Sequence, residues 1–292
     1  MIYLLDLRAT SPGGSLAAQV KVLFNNAQIL DPAPFLNAIH GRDVLFATHG
    51  FNVTEANGEV NLDDLAPLLT LGPGALLVGV LWPGDADWGA LSGAVYPFVG
   101  KTSMDAGTML ANYINANCRQ AKSVSFASHS LGARVMLQTV RCLDRRARRL
   151  ILLAGAIDDD CLTGEYAGAA ANVDRISVLA SMEDKILGRF FPAGNFLSGI
   201  ITRGHPYWHA AIGHNGPAQP IPGKLDPRAM IPDDWMFNHG SYLPDGPVAL
   251  PPGCAIPSLL PAPGQPVPCG QTAETAPWKR AWTAAMLSDR FR

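Results

Sequence analysis

The chain has 292 residues, of which 48% are apolar and 16% are charged, a composition that predicts a folded protein with a sizeable core. Its 22 Lys and Arg residues face 24 Asp and Glu residues, for a net charge of −2. Nucleic-acid binding depends on an excess of basic side chains, so nucleic acid is not expected as a partner.

Membrane spanning is also excluded by the sequence pattern. The longest apolar run, residues 150–157, is far shorter than the roughly 20 residues that a spanning helix needs. The first eight residues have no basic segment before an apolar stretch and reach a charge at Asp6, unlike a signal peptide. We expect no integral membrane association and a cytoplasmic protein, or a secreted one if a leader has been removed.

Short apolar runs alternate with helical patterns over the first two thirds of the chain. The predicted strands are Tyr3–Arg8, 19–24, Asp43–Thr48, Ala75–Leu81, 123–127, 149–154 and 175–180, and the predicted helices are 62–69, 102–116 and 130–143. Strands that are apolar throughout are buried on both faces, which is typical of a parallel sheet beneath helices. The pattern predicts an α/β fold with a mostly parallel central sheet flanked by helices.

The pattern changes after Asp184. Residues 186–236 are rich in aromatic residues, glycine and proline, and we interpret them as a cap-like or lid-like insertion within a single domain of residues 1–292. Residues 244–270 contain nine prolines, which excludes a helix interior or a central strand and predicts a coil. Residues 276–291 have helical spacing and predict a C-terminal helix.

Five cysteines are present, without a C-x-x-C pair, so neither a zinc site nor a redox motif is expected. Cys254 and Cys269 lie 15 positions apart in the Pro-rich segment, where a disulfide and two idle thiols are both open alternatives.

The strongest functional signal is a strand followed by a sharp turn and a helix. Residues 124–133 read VSFASHSLGA, with Ser130 at the tip of a small-x-Ser-x-Gly turn. Such a turn lifts the serine oxygen clear of the sheet, and it requires small residues at the positions of Ser128 and Gly132. The helix that follows offers unpaired N–H groups beside the serine. We predict that Ser130 is a nucleophile.

A second motif, HGFN at residues 49–52, follows the strand Asp43–Thr48, and the next strand ends in LWPGD at residues 81–85. Together with the SHSLG turn, over about residues 43–243, these motifs resemble the α/β-hydrolase superfamily in an esterase- or lipase-like branch. Ser128 stands where that family usually has its first glycine. The resemblance implies an α/β-hydrolase fold and a Ser-His-acid triad, with the insertion lying before the catalytic histidine.

The resemblance also implies an oxyanion hole, a pair of backbone N–H groups that stabilise a developing negative charge. The donors are the N–H groups of Phe51 and Leu131, and Gly50 lets the backbone approach closely. His49 is expected to make a structural hydrogen bond across its loop. His129, beside the nucleophile, is expected to point away from the site.

The family order places the acid between the serine and the histidine. Asp184, directly after the predicted strand 175–180, is the preferred acid. Glu183 and the run of Asp158, Asp159 and Asp160 remain alternatives.

Four histidines follow Asp184 in the chain. His239, in the sequence FNHGSY, is the preferred base, and His214, in GHNGP, is the alternative. His205 and His209 are assigned to the insertion, and they lack the glutamate of an H-E-x-x-H zinc site. We therefore expect no metal and no cofactor.

The predicted reaction is covalent acyl transfer to Ser130, with a small-molecule carboxylic ester as substrate. Gly50, Trp82, Phe191 and Trp208 are candidate substrate-binding residues, and the aromatic insertion favours an apolar acyl chain or an aromatic group. An amidase, a peptidase or an acyltransferase with the same triad, and a non-catalytic binding protein, are the alternative functions.

Overall fold

The computed structural model describes residues 2–9, 15–25, 27–84, 92–189, 191, 209–226, 230–257 and 266–292, with only the backbone for residues 92–99. Its strands are β1 (Tyr3–Arg8), β2 (Leu16–Phe24), β3 (Ala27–Gln28), β4 (Asp43–Thr48), β5 (Ala75–Leu81), β6 (Ser123–His129), β7 (Ala147–Leu153) and β8 (Val173–Leu179). They form one sheet in the spatial order β3-β2-β1-β5-β4-β6-β7-β8.

The sheet is parallel from β1 through β8, and the edge strands β2 and β3 are antiparallel to their neighbours. The helices are α1 (Ala33–Ile39), α2 (Glu55–Leu65), α3 (Ser92–Asn117), α4 (Gly132–Cys142), α5 (Ala167–Ala171), α6 (Ile212–Asn215) and α7 (Pro277–Phe291). The predicted α/β fold with a mostly parallel sheet is confirmed. Among the described helices, none is long and apolar enough to cross a bilayer.

The centre of the sheet explains why its strands are apolar along their whole length. β4 and β6 lie side by side and are buried almost throughout, and the rings of Phe46 and Phe126 stack with centroids 5.6 Å apart. Thr48 pairs with Ser128 in this register. The turns that follow the two strands therefore emerge next to each other at the carboxyl edge of the sheet, where ligand sites of parallel sheets are found.

Helix α2 begins earlier than the predicted range 62–69. The side chain of Thr54 caps its start by accepting a hydrogen bond from the N–H of Asn57 at 3.2 Å, and a short 3₁₀ helix, Ala66–Leu68, follows its end. The first turns of α2 are polar, so apolar spacing could not mark them, whereas a capping side chain stabilises the helix start without it.

A further strand beside β8 is replaced by two isolated bridges, Ile176 to Leu225 and Ala180 to Met230. Prolines at positions 222 and 232 flank this stretch. Proline has no backbone N–H and is confined to sheet edges, so the stretch pairs with β8 only at separate points within the described residues.

Helix α7 packs on the segment that leads to His239. Trp235 meets Trp278 and Trp282 edge to face, at centroid distances of 5.1 and 5.5 Å. The buried Lys279 ammonium donates hydrogen bonds to the carbonyls of Met236 and Thr272. This packing holds the chain in place just before the residue predicted as the base.

The Pro-rich segment is joined by a disulfide between Cys254 and Cys269, and Cys118, Cys142 and Cys161 are free thiols. The proposed insertion, residues 186–236, lies partly outside the described residues, so its action as a cap stays a prediction.

Candidate active site

Ser130 lies in the sharp turn between β6 and α4. Its φ is +54°, a left-handed conformation that costs a non-glycine residue about 1–3 kcal/mol unless its surroundings hold it. Two backbone hydrogen bonds do so: the Ser130 N–H donates to the Leu153 carbonyl, and the Ala156 N–H donates to the Ser130 carbonyl, each at 3.0 Å. The turn has the strained strand-to-helix geometry of a nucleophile elbow.

Ser130, His239 and Asp184 form a continuous hydrogen-bonded chain. His239 Nε2 lies 2.8 Å from Ser130 Oγ, and His239 Nδ1 lies 2.7 Å from Asp184 Oδ2. The carboxylate only accepts, so Nδ1 carries the ring proton and Nε2 can accept the hydroxyl proton. Among the described residues, the carboxylate that contacts His239 is that of Asp184.

Asp184 is fully buried, and its second oxygen is also hydrogen-bonded. Oδ1 accepts the Leu187 N–H at 3.0 Å, at the start of a short helical stretch, residues 185–189. A buried carboxylate needs such partners for each oxygen. This contact fixes the plane of the carboxylate that faces His239.

The alternative acids make other contacts. In the run 158–160, Asp159 Oδ1 lies 3.5 Å from His209 Nδ1. Glu183 is half-buried, and its N–H donates to the hydroxyl of Ser181 at 3.2 Å.

The alternative base, His214, lies in α6 and hydrogen-bonds the side chain of its neighbour Asn215. His209 belongs to the cluster with Asp159 just described, and His205 lies outside the described residues.

His129 differs from the expectation that it points away from the site. Its Nε2 lies 2.8 Å from the His239 carbonyl, and the two rings have centroids 4.9 Å apart. Burial lowers the pKa of His129 to about 3, so the ring is neutral and donates its single proton to that carbonyl. The reason for the difference is that the segment carrying His239 packs directly over the end of β6.

The HGFN turn lies directly against the elbow. A Cβ on Gly50 would lie 2.8 Å from Ser130 Cβ, and a Cβ on Gly132 would lie 2.4 Å from the His49 carbonyl oxygen. Both distances are below any real Cβ contact, so only glycine fits at these two positions without displacement. Within the described part of the chain, the N–H groups of Phe51 and Leu131 donate no hydrogen bond.

Trp82 has a different place from the one predicted for a substrate-binding residue. Its indole is fully buried, stacks on His49 at 5.9 Å, and donates a hydrogen bond to the His49 carbonyl at 3.1 Å. It therefore supports the HGFN turn from behind and offers no surface to a substrate. Phe191 is also buried, with 4% exposure, and Trp208 lies outside the described residues.

Comparison with known families agrees with this architecture. Residues 33–203 match the model of a family described as "Alpha/beta hydrolase of unknown function (DUF900)". The match covers more than half of the chain and includes the HGFN turn, Ser130 and Asp184, and it ends before His239. A search of curated proteins finds no match.

Proposed function

The chain belongs to this family of alpha/beta hydrolases, and from that premise we propose that it is a serine hydrolase that cleaves carboxylic esters. The observation that carries the proposal is the hydrogen-bonded chain from Ser130 through His239 to Asp184. A binding protein has no need of a strained serine, an oriented imidazole and a buried carboxylate in line. The same three groups in the same order of contacts perform acyl transfer in serine hydrolases.

The chemistry follows from the contacts. As Ser130 Oγ attacks the ester carbonyl carbon, its proton passes to His239 Nε2, and Asp184 stabilises the imidazolium that forms. When the carbon–oxygen bond of the ester breaks, the same proton goes to the departing alcohol. Water then attacks the acyl-serine, gives a proton to His239, and releases the carboxylic acid as that proton returns to Ser130 Oγ.

The negative charge that develops on the carbonyl oxygen needs donors. The N–H groups of Phe51 and Leu131 border the elbow and have no other acceptor among the described residues. Each such donor contributes about 3–4 kcal/mol to transition-state stabilisation. We therefore assign them as the oxyanion hole.

The surroundings of Asp184 support an apolar substrate. Met182 and Ile186, two residues to either side of it, are each 49% exposed, and exposed apolar side chains near a catalytic group provide contact area for an acyl chain or aromatic ring. The proposed mechanism requires no cofactor and no metal.

The test is the hydrolysis of p-nitrophenyl acetate, butyrate and octanoate by the wild-type protein and by Ser130→Ala. We expect the variant to lose about three orders of magnitude or more in kcat. Ser123→Ala, at the opposite end of β6, is the matched control and should retain activity. Equal rates for Ser130→Ala and wild type would refute the assignment of the nucleophile. Failure of the folded wild type to cleave any of these esters would contradict an ester substrate and leave amides as the next class to assay.

A further inference from the structure

The HGFN turn has its own buried support. His49 is fully buried, its Nδ1 lies 2.8 Å from the Gly50 carbonyl oxygen, and its Nε2 lies 3.0 Å from Arg8 Nη2. The backbone N–H of Trp82 also points to Nε2, at 3.3 Å. Four elements of the molecule therefore meet at one imidazole: the ends of β1, β4 and β5, and the turn itself.

These contacts determine where the ring proton is. A carbonyl only accepts and a guanidinium only donates, so Nδ1 must carry the proton and Nε2 must present its lone pair. Burial, together with the charge of Arg8, lowers the pKa of His49 to about 3. The ring is therefore a neutral imidazole in a single tautomer, and its one N–H is committed to the Gly50 carbonyl.

The Gly50 carbonyl and the Phe51 N–H belong to one peptide unit. In a planar trans peptide the C=O and N–H bonds point in opposite directions, so a hydrogen bond that holds the carbonyl also fixes the direction of the N–H. Glycine adopts backbone conformations closed to other residues, and Gly50 must be glycine because it abuts Ser130. The turn thus places its most freely rotating residue next to the oxyanion donor.

We propose that Arg8 and His49 are positioning residues for the oxyanion hole: His49 holds the peptide unit that presents the Phe51 N–H, and Arg8 holds the His49 ring in the required tautomer. This inference rests on the proposed function, because it assumes that the Phe51 N–H stabilises an oxyanion. Neither side chain touches the substrate or Ser130.

Arg8 is well placed for this role. It ends β1, which pairs with β5 so that Asp6 lies opposite Leu81, next to Trp82. Its backbone N–H donates to Asp6 Oδ1 at 2.9 Å, and Asp6 Oδ2 lies 2.6 Å from Lys21 Nζ. The side chain is almost entirely buried, with 1% exposure, so its guanidinium has little freedom to leave His49.

The test replaces the imidazole by groups that keep or lose its N–H. His49→Phe keeps a flat buried ring but has no donor, whereas His49→Asn can still donate from its amide to the Gly50 carbonyl. We expect His49→Phe to lower kcat on p-nitrophenyl butyrate by about 10- to 100-fold, less than full removal of an oxyanion donor, with KM changed by no more than about threefold. His49→Asn should recover a large part of that loss.

A second readout separates oxyanion stabilisation from general damage. A trifluoromethyl ketone with an apolar chain forms a tetrahedral oxyanion on the serine, so its inhibition constant should weaken in His49→Phe by the same factor as kcat. Arg8→Met is the second variant, in case His49→Phe does not fold. It should lower kcat and inhibitor affinity together, and Arg8→Lys, which restores a donor, should reverse part of both.

The outcomes are distinguishable. If wild type turns over through Ser130 while folded His49→Phe, or folded Arg8→Met where the former does not fold, keeps wild-type kcat and inhibitor affinity, the positioning role is overturned and the proposed function stands. If the wild type itself shows no turnover that depends on Ser130, the proposed function fails, and the positioning role fails with it. Parallel losses in kcat and inhibitor affinity with unchanged KM support the inference.

Discussion

Gly50 is the residue at which the fit between the two turns is tightest. A methyl group there would collide with Ser130 Cβ at 2.8 Å and with His129 Nδ1 at 3.2 Å, so Gly50→Ala must push the HGFN turn away from the nucleophile. We expect kcat for ester hydrolysis to fall about 100-fold or more, because one oxyanion donor is misplaced. Gly74→Ala is the control, since a Cβ there meets no atom within 4 Å. Equal activity of the two variants would contradict the assigned place of the turn.

Residue-level prediction from sequence worked where a short motif carries the signal. The turn around Ser130 and the HGFN turn are both contiguous, and the structure brings Ser130, Asp184 and His239 together as the resemblance implied. The supporting contacts were not predictable in this way. His129 reaches a carbonyl 110 positions away, and Arg8 reaches His49 across 41 positions. Such contacts depend on strand order, which no local pattern encodes.

Among the elements, strands were predicted best, because burial on both faces writes a continuous apolar run into the sequence. Their observed bounds differ from the predicted ones by a few residues. The start of α2 was missed because its first turns are polar, and the stretch beside β8 has no strand pattern because it pairs only at Leu225 and Met230. Elements held by caps or isolated bridges leave a weaker trace than elements held by core packing.

The disulfide gives the Pro-rich segment a testable element-level property. It closes a loop with a sequence separation of 15 residues, and a loop of about that length stabilises a fold by roughly 3 kcal/mol through restriction of the unfolded chain. Cys254→Ser should therefore lower the thermal midpoint, measured by circular dichroism without reductant. Cys142→Ser, a half-buried free thiol, is the control.

Thiol titration of the denatured protein supplies the independent check. We expect three reactive thiols without reductant, corresponding to Cys118, Cys142 and Cys161, and all five after reduction. Five reactive thiols in both conditions would show that Cys254 and Cys269 are not joined.

At the scale of the whole molecule, two buried neutral histidines make stability depend on pH. His49 and His129 have pKa values of about 3 in the folded protein, below the value of about 6.5 in the unfolded chain. Between these values the unfolded state binds more protons, so stability falls as pH falls from about 6.5 towards 3. Each group contributes a slope of up to about 1.4 kcal/mol per pH unit in that window.

Urea denaturation at pH 7, 6, 5 and 4 measures this dependence. His129→Gln retains a hydrogen-bond donor but does not titrate, so it should have a shallower decline in unfolding free energy than wild type, by up to about 1.4 kcal/mol per pH unit. Identical declines in the two proteins would contradict a buried, neutral His129.

The proposed site also joins two parts of the molecule. The family match contains the serine and the acid, whereas His239 follows it and is held by the packing of α7 on Trp235 and by the bond from Lys279 to Met236. The central sheet therefore sets the nucleophile and the oxyanion donors, and the C-terminal part of the chain supplies the base.

The most direct measurement is the mass of the protein after reaction with a fluorophosphonate, which phosphonylates an activated serine. We predict one adduct per chain, located by peptide mapping on Ser130, no adduct in Ser130→Ala, and normal labelling in Ser123→Ala. An adduct on a different residue, or an unlabelled but folded wild type, would contradict the claim that Ser130 is an activated nucleophile.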